Sequence, residues 1–89
     1  MTKREIAKVE KLKRAVQDVV WRQSLASFSQ FDQFSKELAS KGLQPHEELF
    51  LLAVKFLGLL SVSKPEHADA IQTLGEAIAF ARELAAANR

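Results

Sequence analysis

An all-α fold, a small antiparallel bundle of four helices, is what this sequence predicts, on three observations. Apolar residues recur at alternating spacings of three and four along most of the chain, which is the period of one helix face. Thr2, Ser27 and Ser63 each precede an apolar run and each is followed three residues later by Glu or Gln, the pattern of a helix start. Only three glycines and two prolines occur in 89 residues and aromatics make up 8%, a poor composition for strands joined by tight turns.

The first helix is expected over residues 2–23. Thr2 and Glu5 form a capping-box pair, and at 100° per residue Ile6, Val9, Leu12, Val16, Val19 and Val20 share one face. Ser24, Ser27 and Ser29 then weaken the helix, because serine hydroxyls compete for nearby backbone groups. Ser27 with Gln30 makes a second capping pair, which predicts a second helix over residues 28–41, stopped by Gly42. Phe28, Phe31, Phe34 and Leu38 fall in one arc of it, and Phe31 and Phe34 are expected to be buried.

The alternative is an unbroken N-terminal helix of about 60 Å, on which Val16, Val20, Phe31, Phe34 and Leu38 still line up, with Ser24 and Ser27 as a polar layer. A C-terminal helical hairpin cannot cover that length, so this version requires a dimer. Phe28 separates the two: it joins the core arc if the chain breaks and leaves it if the chain does not.

Pro45 in a first turn, with Glu47 and Glu48 behind it, starts a third helix expected over 45–62. Its apolar residues lie nearly all round, so it is either the centre of the bundle or covered on a second side by another chain. Ser63, Pro65 and Glu66 start a fourth helix expected over 64–87, with a seam of Ile71, Leu74, Ile78, Ala81 and Ala85. Gly58 and Gly75, inside these two helices, predict a close approach between them.

The whole chain, 1–89, reads as a single domain, of a size that often gains stability by pairing. With no cysteine, neither a disulfide framework nor a thiolate metal site is expected, and a reducing, cytoplasmic setting is. The charged start MTKREIAKVEKLKR does not read as a secretory signal, and the apolar run 49–62 is too short to cross a bilayer. His46 and His67 are expected as exposed first-turn residues at opposite ends of a hairpin, so no metal centre follows from them. No nucleophile–base set or phosphate loop is recognisable. The expectation is therefore no enzyme, no cofactor and no small-molecule substrate.

Two surfaces remain as candidates. Leu51, Val54 and Val62 lie within about 80° on the outer flank of the third helix and, with Phe28, form the candidate protein-partner or homodimer surface. Residues 1–24 carry a net charge of +4 and the remainder −2. Lys11, Arg14, Trp21 and Arg22 on the polar side of the first helix are the candidate contact for an anionic partner, with nucleic acid as the alternative reading. The function expected first is protein–protein interaction by a self-associating helical protein: an adaptor, inhibitor, chaperone or regulator.

Overall fold

In the computed structural model, which describes residues 1–88, four helices pack against one another: α1 (Lys3–Arg22), α2 (Phe28–Ser40), α3 (Pro45–Leu57) and α4 (Ala68–Ala87). A short 3₁₀ turn, Pro65–His67, leads into α4.

The starts of α1 and α2 are capped as the sequence implies. The Thr2 hydroxyl accepts from the Glu5 amide at 3.1 Å while the Thr2 amide donates to the Glu5 carboxylate at 2.8 Å. The Ser27 hydroxyl accepts from the Gln30 amide at 3.1 Å, and Gln30 Oε1 accepts from the Ser27 amide at 2.9 Å. Each exchange satisfies two amides that a helix start leaves without partners.

The chain breaks between α1 and α2, and the break has a specific form. The Leu25 amide donates to the Val20 carbonyl at 2.9 Å, and the Ser24 amide to the Trp21 carbonyl at 3.2 Å. These two bonds make a Schellman motif, which needs a left-handed residue at its turn. That residue is Ser24, with φ +52°. Glycine normally takes this place, and a residue with a Cβ is disfavoured there by about 1–2 kcal/mol. Leu25 folds back onto the core, the apolar contact that accompanies the motif. At the other end of α2, Gly42 takes the left-handed position, with φ +69°.

The last two helices differ from expectation at their junction. α3 ends at Leu57, five residues short of the predicted end. The amides of Leu59 and Leu60 bond back three residues rather than four, which tightens the chain out of the helix. The Ser61 amide then donates to His67 Nδ1 at 3.0 Å, fixing the turn from outside. Ser63 caps nothing: its hydroxyl pairs with that of Ser61 at 2.7 Å, and α4 begins only at Ala68. Neither glycine marks a close helix approach. Among the described residues, a Cβ on Gly58 would meet only the carbonyls of Lys55 and Val54, at 3.5 and 3.6 Å, and one on Gly75 would meet nothing within 4 Å. The small residues buried on α4 are Ala70, Ala77 and Ala81.

The core joins Val9, Val16 and Val20 of α1 to Leu49, Leu52 and Phe56 of α3 and Leu74 and Leu84 of α4. α3 packs against all three other helices, most extensively α4, and so occupies the centre of the bundle. α2 packs chiefly on α3, through Phe31 and Leu38 and through stacking of Phe31 on Phe56, with centroids 5.7 Å apart. Phe34, expected to be buried, is half-buried.

Candidate interaction surface

The alternation of helix directions brings the elbow between α1 and α2, the end of α3 and the turn at 58–64 to one end of the bundle. Gln23 Nε2 donates to the Glu66 carbonyl at 3.3 Å, which ties the elbow to the 3₁₀ turn. Leu25, Ala26 and Leu59 line, with Phe34 and Phe56, a shared groove of about 320 Å³.

Large apolar side chains at this end stand in solvent. Trp21 is 46% exposed, Phe28 68%, Leu59 55% and Val62 91%. Trp21 and Phe28 stack on each other, with centroids 6.2 Å apart and planes 26° apart. The position of Phe28 corrects the sequence reading: the helix breaks, yet Phe28 is outside the core. Phe28 is the first residue of α2, and side chains on a helix lean toward its N-terminus. It therefore lies over the elbow, against Trp21, instead of reaching α3. Its angle on the wheel was suitable and its height along the axis was not.

The other proposed contact residues separate into two places. Leu51 and Val54 lie 60° apart on the outer face of α3, 38% and 43% exposed. Val62 does not belong to that face, because the helix has ended and the wheel no longer applies; it belongs to the elbow end. Leu59, also beyond the end of α3, is exposed as well.

On α1, Lys3, Arg4, Lys11 and Arg14 are exposed and take part in none of the ion pairs among the described residues. Lys8 places its ammonium 4.3 Å from the centre of the Phe80 ring. Lys13 pairs with Glu48 at 2.8 Å, and Arg22 Nε with Asp18 at 3.0 Å. Lys11 and Arg14 therefore present unpaired charge, while Arg22 is neutralised locally and Trp21 is engaged with Phe28.

The histidines are not alike. His46 was expected to be exposed and is buried, 7% exposed, with no hydrogen-bond partner for Nδ1 among the described residues. It sits on the inner face of α3 with Leu49 and Ala53, at i, i+3 and i+7. That spacing was readable in the sequence. His67 is half-buried and accepts from the Ser61 amide. Among the described residues no three His, Cys, Asp or Glu side chains are grouped to hold a metal ion, and no helix is long and apolar enough to cross a membrane.

No protein-family model, curated protein or solved structure matches this chain.

Proposed function

We propose that this chain is a non-enzymatic protein–protein interaction module, a small adaptor, inhibitor, chaperone or regulator of the cytoplasm, and that it self-associates through the elbow end of the bundle. The observation that carries this reading is the exposed Trp21–Phe28 stack, with Leu59 and Val62 at the same end. Scattered apolar side chains on a surface are ordinary, but aromatics gathered at one place are typical of contact sites. A second copy meeting the same surface, related by a two-fold axis, is the commonest arrangement for soluble oligomers.

Light scattering on a size-exclusion column at about 100 μM, a concentration at which burial of a few such side chains gives measurable pairing, tests the self-association. The expected result is a species of twice 10.0 kDa. A monomer at that concentration overturns it.

A second reading, binding of nucleic acid along α1, is favoured by the unpaired charges of Lys3, Arg4, Lys11 and Arg14. Such binding falls steeply with salt, because phosphate contacts release counterions. Joint replacement of Lys11 and Arg14 by glutamine abolishes it without unfolding the chain. No retardation of DNA or RNA at about 50 mM salt removes this reading.

A further inference from the structure

We infer that the elbow between α1 and α2 is a hinge, and that a second copy of this chain joins the first by exchange of α2. The inference rests on the self-association proposed above and specifies how the copies meet.

Three observations lead to it. First, the bend is held by a residue unsuited to it: Ser24 occupies the left-handed position at φ +52° that glycine would take without strain. No glycine or proline lies between residues 1 and 41, so nothing in the covalent chain prevents residues 23–27 from continuing the helix. Short hinges under strain favour exchange of the element they carry.

Second, α2 has its main packing on α3, through Phe31, Phe34 and Phe56, and little elsewhere. Those contacts are as well made with the α3 of another copy as with its own. A continuous helix from Lys3 to Ser40 would be about 57 Å long at 1.5 Å per residue. The longest axis of the folded chain is 36 Å. Straightening therefore carries α2 beyond its own bundle, and its phenylalanine face then needs a second copy to cover it.

Third, straightening gives the exposed aromatics a use. Along a continuous helix Val9, Leu12, Val16, Val20, Phe31, Phe34 and Leu38 keep one face. Trp21, Leu25 and Phe28 fall at i, i+4 and i+7 and make a second apolar strip, on the side of the helix away from that face. In the bent chain Leu25 is turned away to the core, and Trp21 stands half in solvent, stacked on Phe28. In an exchanged dimer the hinge segments of the two copies become neighbours, and these strips meet each other.

The test uses the chain with substitutions at the hinge and pairs of introduced cysteines, there being no native cysteine. Ser24→Gly removes the strain of the bend and weakens the straight helix, so it is expected to raise the dimer dissociation constant by about tenfold or more. Ser24→Ala with Ser27→Ala removes the cap of α2 and favours the straight form, so the dissociation constant is expected to fall. Circular dichroism confirms that each variant is folded. Glu37 and Lys55 line the same groove from α2 and α3 and are both exposed. Chains with Glu37→Cys are mixed with chains bearing Lys55→Cys, refolded together and treated with a short bis-maleimide. Exchange yields a mixed cross-linked dimer. A dimer that forms without the mixed cross-link, or whose dissociation constant is indifferent to residue 24, overturns exchange and leaves self-association standing. A native chain that remains a monomer in the light-scattering experiment overturns the two together.

Discussion

The ring of Phe34 meets the ring of Phe56 edge-on, with centroids 6.3 Å apart and planes at 90°. Phe56 is 1% exposed and also stacks on Phe31. Lys55 places its ammonium 4.5 Å from the centre of the Phe34 ring, on the solvent side. The hierarchy of burial sets the hierarchy of cost. Phe56→Ala is expected to lose about 3–5 kcal/mol, as for a fully buried aromatic, and Phe34→Ala about half of that. Urea unfolding followed by circular dichroism measures both. Equal losses would mean that α2 holds Phe34 as deeply as Phe56.

Glu5 supplies the acid sensitivity of α1. Its carboxyl is held below the ordinary glutamate value, first by the hydrogen bond from the Thr2 backbone amide, which outweighs an opposing effect of desolvation and is helped by the Thr2 hydroxyl and the N-terminal charge. A lowered folded-state value means that the stabilisation is complete above the unfolded value and fades as pH falls through the folded one. Fraying of the first turn of α1 is therefore expected only in acid. Glu5→Gln removes that dependence, and titration of amide shifts for residues 2–6 by NMR shows whether it does.

The two informative glycines predict opposite outcomes on replacement by alanine. Gly75 lies within α4 with open space where a Cβ would go, so Gly75→Ala should stabilise the chain by about 1 kcal/mol. Gly42 has space as well, but its φ of +69° penalises any Cβ, and Gly42→Ala should destabilise by about 1 kcal/mol. Melting temperatures that moved in the same direction would contradict this assignment.

His46 is an apolar position filled by a polar ring. Its Nδ1 has no partner among the described residues, and a buried group without one is a cost that an apolar replacement removes. His46→Leu, close in volume, is expected to be neutral or stabilising in the same urea assay. A loss above about 2 kcal/mol, the scale of a broken buried hydrogen bond, would reveal a polar contact to the imidazole.

Much of this architecture is legible because it is local. The Thr2–Glu5 and Ser27–Gln30 caps are exchanges across three residues, and Gly42 and Pro45 act on their own backbone, so the letters alone locate the starts of α1, α2 and α3 and the stop after α2, but not the start of α4. What escapes the letters depends on distant groups or on height along an axis. α3 ends early because the Ser61 amide finds His67 and the chain tightens after Phe56. Ser24 at a glycine position carries no signature beyond the apolar Leu25 that follows it. Of the candidate contact surface, Leu51 and Val54 were placed on their exposed face, whereas Val62 and Phe28 reached solvent by routes that a helical wheel does not represent.

The central place of α3 also sets an order of events. Neither α1 nor α2 packs extensively on the other; both rest on α3, and the α3–α4 pairing, between consecutive helices, is the most extensive. Contacts between neighbouring segments form at the least entropic cost, so the hairpin of α3 and α4 is the natural nucleus, and the first half of the chain docks onto it afterwards. In a chevron plot, truncation of Leu74 should then act mainly on the refolding limb, and truncation of Phe31 mainly on the unfolding limb. A ribosome delivers these segments in the reverse order, so residues 1–40 must wait for the helices that will hold them.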